Sequence, residues 1–174
     1  MLHDVGAEVV AVRRIEHLEG LDALVMPGGE STAIAHLLTS SGLRDTIDER
    51  LGEGLAVLGT CAGLILLSAE VLDGRGDQWS FAALPVGVRR NGYGRQIASF
   101  ETTIEVTGLG SVPGVFIRAP KIEWWADDVE VLARHDHGDG DYPVLVRHGR
   151  VWGCSFHPEL TSDVRIHQLF IDSL

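Results

Sequence analysis

Apolar positions along the chain change their period several times, and the changes divide it into elements. Glu8-Val9-Val10-Ala11-Val12-Arg13 is a β-branched run that predicts a strand, and Leu21-Asp22-Ala23-Leu24-Val25-Met26 predicts a second, stopped by Pro27-Gly28-Gly29. A helix is expected next, with Ile34, Leu37 and Leu38 on one face and Gly42 at its end. Leu43, Ile47 and Leu51 then recur at helical spacing. Leu55-Ala56-Val57-Leu58 is wholly apolar, as a strand at the centre of a parallel sheet would be. Gly59-Thr60-Cys61-Ala62-Gly63 turns that strand into an apolar helix predicted over residues 64–72. Residues 97–106, 115–118, 129–133, 144–147 and 151–156 read as strands punctuated by Gly and Asp. Val164, His167, Leu169 and Phe170 mark a closing helix after Pro158. Alternating strands and helices, followed by a strand-rich half, predict an α/β three-layer domain with a mixed sheet.

Bulk properties narrow what such a domain does. At 174 residues, 45% hydrophobic and 22% charged, the chain fits one domain with a sizeable core, residues 1–174. The formal net charge of -11 argues against nucleic acid and against an anionic membrane as partners, though not against a protein with a basic docking face. No apolar run reaches the length that spans a bilayer, and Met1-Leu2-His3-Asp4 does not read as a secretory signal. The two cysteines, Cys61 and Cys154, then predict a cytoplasmic chain with reduced thiols.

The strongest chemical signal is the G-x-C-x-G turn at residues 59–63, a cysteine form of the nucleophile elbow. Glycines flank the nucleophile because a tight strand-to-helix turn leaves no room for side chains beside it. A thiol at a helix N-terminus meets partial positive charge, which favours the thiolate. The N–H after it, that of Ala62, is placed to serve an oxyanion. The competing reading is a buried structural cysteine in a glycine-rich turn. A thiolate needs a proton carrier, and Ser155-Phe156-His157-Pro158-Glu159 places His157 at a strand end, where active sites of open α/β sheets gather. Glu159 is near enough in sequence to hold one imidazole tautomer. Alone, His157 would read as a surface histidine; beside the elbow, a Cys61–His157–Glu159 triad is the better reading. Pro27-Gly28-Gly29-Glu30-Ser31-Thr32 is a third strand-end loop, able to present N–H groups to an oxyanion, with Ser31 or Thr32 alternatively a simple helix cap. His135-Asp136-His137-Gly138-Asp139-Gly140-Asp141 has metal-ligand residue types but reads as a solvated hairpin loop, and no metal is expected. His3, His17, His36 and His167 read as surface or partly buried residues, and Cys154 as a core residue.

Together, Pro27-Gly28-Gly29-Glu30-Ser31-Thr32, Gly59-Thr60-Cys61-Ala62-Gly63 and Cys154-Ser155-Phe156-His157-Pro158-Glu159-Leu160 resemble the class I (triad) glutamine amidotransferases. Arg90-Asn91-Gly92-Tyr93-Gly94-Arg95-Gln96, Ser99-Phe100-Glu101 and Val115-Phe116-Ile117-Arg118-Ala119-Pro120 resemble, more narrowly, the PdxT family, the glutaminase subunits of pyridoxal 5′-phosphate synthase. The resemblance runs from Gly6 to the C-terminus. It implies a flavodoxin-like, mostly parallel mixed sheet. It also implies that glutamine is hydrolysed through a glutamyl thioester on Cys61, with His157 moving protons and Glu159 orienting it. Gly29, Glu30, Ser31, Arg90, Ile117 and Arg118 would contact glutamine, and Gly29 and Ala62 would form the oxyanion hole. Ammonia would pass to a PdxS-type synthase, a (β/α)8 barrel that makes pyridoxal phosphate, vitamin B6, in a hetero-oligomeric complex. No cofactor is implied for the glutaminase itself.

Members of that family begin with a strand and a Leu-Gln-Gly loop that do not occur here. The expectation is therefore a domain lacking its first strand, N-terminally truncated by roughly 20 residues. The strand at residues 8–13 would then have no neighbour on its inner side. Rival readings are an amidotransferase serving another synthase, a hydrolase acting alone on γ-glutamyl bonds, and a non-catalytic binding module of the same fold.

Overall fold

The computed structural model describes residues 1–74, 76, 78–92, 99–138 and 140–174. The first half of the chain builds βα units. Strand β1 (Ala23–Met26) leads into helices α1 (Ser31–Ser40) and α2 (Leu43–Gly52), then β2 (Ala56–Thr60) and helix α3 (Ala62–Leu67). Strands β3 (Ser68–Val71) and β4 (Leu84–Arg89) follow. The second half is β5 (Ser99–Val106), β6 (Gly110–Ile117), β7 (Lys121–Trp125), β8 (Glu130–Asp136), β9 (Asp141–His148) and β10 (Val151–Cys154), closed by helix α4 (Arg165–Ile171).

Among the described residues, the main sheet has the order β1-β2-β10-β9-β8-β5-β6, and β3-β4-β7 form a smaller one. Pairing is parallel across β1, β2 and β10 and antiparallel from β10 to β6, so the sheet is mixed. Strand β2 lies between two parallel neighbours and is buried along its whole length, which explains its unbroken apolar run. Its alternation sorts side chains to two cores: Val57 joins Leu43, Ile47, Leu64 and Leu67 on one face, and Leu58 joins Trp152, Phe156, Ile166 and Phe170 on the other. Helices α1–α3 thus cover one face and α4 the other, giving the three layers that the sequence pattern predicts.

Several expectations change at the level of elements. Residues 8–13 form no strand: none of them pairs in a ladder, and Val9 and Val10 are exposed. A β-branched run becomes a strand only where a neighbour supplies the pairing groups, and among the described residues β1 bonds only to β2. The helix expected over residues 64–72 ends at Leu67, where Ser68 turns extended (φ -62, ψ 150) and its hydroxyl donates to the Ile65 carbonyl; the chain continues as β3, paired to β4. Leu37 does not join the buried face of α1 but is exposed, while Ile34 and Leu38 pack on the core. Gly42 lies just beyond α1 and opens α2 in a left-handed conformation (φ 74). The strand expected over residues 151–156 stops at Cys154, and strands β4 and β7 form without a predicted counterpart. The expected strand at residues 97–106 begins at Ser99; residues 97 and 98 lie outside the described residues.

Candidate active site

The elbow forms at the end of β2. Cys61 takes φ 50 and ψ -100, a region that a non-glycine residue adopts only under constraint. Its N–H donates to the Cys154 carbonyl on β10 (2.8 Å), which anchors the turn to the neighbouring strand. The flanking glycines are required by contact. A Cβ on Gly59 would lie 2.6 Å from the Gly63 carbonyl carbon, and one on Gly63 would lie 2.0 Å from the Met26 carbonyl oxygen. Helix α3 therefore starts directly against both β2 and the end of β1, which puts residues 27–32 beside the nucleophile.

His157 follows β10, and its N–H donates to the Val115 carbonyl of β6 (2.8 Å). Its Nδ1 is 2.9 Å from Glu159 Oε1, and the Thr60 hydroxyl donates to the same oxygen at 3.3 Å. Burial alone would pull the imidazole down, but the Cys61 sulfur and the Glu159 carboxylate outweigh it and push His157 up from 6.5 to about 9. Burial likewise opposes charge on Glu159. Hydrogen bonds from His157, from its own backbone and from Thr60, with the imidazole's charge, nevertheless hold that carboxyl below its usual range. The Nε2 of His157 is buried and closes no geometrically tight bond to a described residue; such contacts commonly tighten when substrate arrives. Gly28 packs on the same pair: a Cβ there would lie 2.3 Å from His157 Cε1 and 3.4 Å from Cys61 Cβ.

The remaining sequence-predicted residues surround this pair in two groups. Ile117 ends β6, and its carbonyl lies 3.9 Å from the Cys61 sulfur. Arg118 follows with φ 45, exposed, and its guanidinium pairs with no described residue. On the other side, Gly29 (φ +151) precedes Glu30, which caps α1. The Glu30 carboxylate accepts from the N–H groups of Thr32 (3.1 Å) and Ala33 (2.6 Å), and these bonds hold its carboxyl below the usual range. The cap is thus Glu30, not Ser31 or Thr32; Ser31 is buried at 4% exposure. The Arg90 guanidinium donates to Gln78 Oε1 (2.8 Å), Thr32 Oγ1 (3.3 Å) and the Asp73 carbonyl (3.3 Å), so this arginine is already engaged by protein groups. The N–H groups of Gly29 and Ala62 donate to no described residue.

Thr60, Asp73, Gln78 and Gly28 had no role in the sequence reading. Thr60 and Gly28 stood inside motifs already singled out, but Gln78 meets Ser31 across 47 positions, with no local signal to announce it. Cys154 is fully buried, which raises its thiol well above the ordinary value. His167, expected at the surface or partly buried, is buried, because α4 turns it inward beside Ile166 and Phe170. His135 and His137 do not stand free in a solvated loop: His135 stacks on Phe100 and Phe116, and His137 meets both rings edge-on. Among the described residues no cluster of three metal-ligating side chains occurs, and Asp139 lies outside them. Tyr93, Gly94, Arg95 and Gln96 also lie outside the described residues.

The sequence model of the SNO glutamine amidotransferase family matches residues 1–174. Pyridoxal 5′-phosphate synthase subunit PdxT of Mycobacteroides abscessus is 50% identical over 172 residues, covering 98% of this chain and 87% of that protein. The subunit of the same name from Thermus thermophilus is 51% identical over 172 residues, with the same coverage, 98% and 87%. A crystal structure of a glutamine amidotransferase, 50% identical, superposes with a TM-score of 0.91 over 99% of this chain and 89% of that one.

Proposed function

The chain belongs to the SNO glutamine amidotransferase family, and on that footing we propose that Cys61, His157 and Glu159 are the catalytic triad of its glutaminase activity. The chain hydrolyses glutamine to glutamate and ammonia for pyridoxal 5′-phosphate synthesis. The observation that carries the site assignment is the juxtaposition of a strained cysteine elbow with an imidazole raised to about 9 and held by a carboxylate 2.9 Å away.

The chemistry follows from that arrangement. The Cys61 sulfur attacks the side-chain amide carbon of glutamine, and the carbonyl oxygen becomes an oxyanion facing the N–H groups of Gly29 and Ala62. His157, carrying its proton at neutral pH, delivers it to the amide nitrogen as the C–N bond breaks and ammonia leaves. A glutamyl thioester remains on Cys61. His157, now neutral, takes a proton from water; the resulting hydroxide attacks the thioester carbon, and the C–S bond breaks to give glutamate and the thiolate. Glu159 keeps Nδ1 protonated throughout, which leaves Nε2 as the working nitrogen. Glu30 and Ser31 border the substrate beside Arg90, whose engaged guanidinium holds that wall together. Ile117 and Arg118 border the substrate from the end of β6, and Arg118, whose guanidinium pairs with no described residue, supplies the charge for the substrate's α-carboxylate.

Residues 1–174 act as one glutaminase domain, cytoplasmic, in a hetero-oligomeric complex with a PdxS-type synthase. The relatives named as subunits of pyridoxal 5′-phosphate synthase support a synthase partner. Among the described residues no helix is long and apolar enough to cross a membrane. The charge of -11 disfavours nucleic acid. The test is glutamine labelled with heavy nitrogen in its side-chain amide, supplied with the chain and the synthase. The label is expected in the pyridoxal phosphate ring. Label found only as ammonia in solution would overturn channelling in favour of a hydrolase that acts alone.

A further inference from the structure

Residues 78–81 cross helix α1 as a strap. At one end Gln78 Nε2 lies 3.3 Å from Ser31 Oγ, at the first residue of the helix; at the other, Trp79 Nε1 donates to Thr39 Oγ1 (3.2 Å). The strap has its own anchors: the Arg44 guanidinium sits 4.6 Å over the Trp79 ring, Trp79 meets Phe81 edge-on at 5.0 Å, and the Phe81 N–H donates to the Leu66 carbonyl (2.7 Å). Gln78 is therefore not what holds the strap in place.

The orientation of the Gln78 amide is dictated by its neighbour. Arg90 Nη1 lies 2.8 Å from it and can only donate, so the amide oxygen must face Arg90 and the NH2 must face Ser31. Arg90 is itself fixed by Asp73: its N–H donates to Asp73 Oδ1 (2.8 Å) and its Nη2 to the Asp73 carbonyl (3.3 Å). The direction of donation thus runs from Arg90 to Gln78 to Ser31. With its oxygen accepting from Gln78, the Ser31 hydroxyl keeps its own proton to give. Among the described residues that proton has no acceptor.

We propose that Gln78 is a positioning residue for glutamine: it reads the fixed Arg90 on one side and sets the Ser31 hydroxyl as a donor to the substrate's α-carboxylate on the other. This rests on the reading of Ser31 as a glutamine contact. A relay of aligned donors polarises each member, so the terminal hydroxyl is a better donor to an anion than an isolated serine. A carboxylate at position 78 would keep the Arg90 contact but could only accept from Ser31, drawing the serine proton away from the substrate.

The experiment measures steady-state glutamine hydrolysis by the chain in complex with its synthase, for wild type, Gln78→Glu, Gln78→Ala, and Gln78→Glu combined with Ser31→Ala. Both single variants are expected to raise KM for glutamine, Gln78→Glu by about tenfold, with kcat within about twofold, since a hydrogen bond to a charged group is the interaction lost. Gln78→Glu should melt no lower than wild type, because its carboxylate pairs with Arg90. Adding Ser31→Ala to Gln78→Glu should raise KM little further, as the two act through one hydroxyl. A wild-type KM in Gln78→Glu, a loss confined to kcat, or additive losses in the double variant would each overturn the proposal. A wild type that hydrolyses no glutamine would overturn the glutaminase reading itself, and this inference with it.

Discussion

At pH 7 the His157 imidazole holds its proton, because the Cys61 sulfur and the Glu159 carboxylate together outweigh its burial. With a folded value of about 9 against 6.5 for the free group, the protonated form contributes stability that is fully present below pH 6.5 and lost as pH rises through about 9. The stability gap between wild type and His157→Asn, measured by urea unfolding, is therefore expected to narrow across that interval. In Glu159→Gln the imidazole loses its partner carboxylate, so the alkaline limb of the pH–rate profile should move from near 9 toward lower pH; an unmoved limb would mean that Glu159 does not support the charge. Gly28 gives a second test at this scale. Its missing Cβ is the space that the imidazole occupies, 2.3 Å from Cε1. Gly28→Ala should displace His157 and lower kcat/KM on the order of 100-fold while circular dichroism stays native, since small misplacements of a catalytic group carry penalties of that size. The candidate triad was legible in the sequence because Cys61 and the His157–Glu159 pair each sit in a short motif at a strand end. Thr60, Gly28 and Gln78 were not, because their roles are contacts with residues distant in sequence.

Elements were read best where one signal dominates. Strand β2 is buried throughout and opens on an apolar run because both its faces are covered, and α2 shows its buried Leu43 and Ile47 at helical spacing. The signal failed where tertiary pairing overrules local preference. Residues 68–71 include the helix-favouring Ala69 and Glu70 but bond to β4, and β4 itself, Leu84-Pro85-Val86-Gly87-Val88-Arg89, carries a proline and a glycine that weaken its strand pattern. Residues 8–13 have strand-forming side chains but no ladder. The junction of α3 with β1 and β2 is tight enough to test directly. In Gly63→Ala the new methyl would lie 2.0 Å from the Met26 carbonyl oxygen, backbone that cannot swing aside. The expected cost is about 1–3 kcal/mol of stability in denaturant unfolding, as for other overpacked sites, together with lost activity because the elbow shifts. An unchanged unfolding midpoint would show that α3 tolerates separation from the sheet.

Across the whole molecule, the parallel strands β1, β2 and β10 carry the elbow, the glycine loop and the histidine at one end, while the antiparallel half brings β6 and its Ile117 carbonyl to the same place. In the loop at residues 27–32 the N–H of Gly29 donates to no described residue, and Glu30 is exposed. Docking of a synthase on this face is expected to set those N–H groups for the oxyanion, so the isolated chain should turn over glutamine more slowly than the complex. Equal rates with and without saturating synthase would contradict that coupling. The central claim, that glutamine is cleaved through a bond to the Cys61 sulfur, is tested most directly by glutamate release from the synthase complex carrying wild type or Cys61→Ala. The account predicts no measurable turnover in the variant at unchanged fold, because without the sulfur no thioester forms. Turnover above about one per cent of wild type in Cys61→Ala would contradict it.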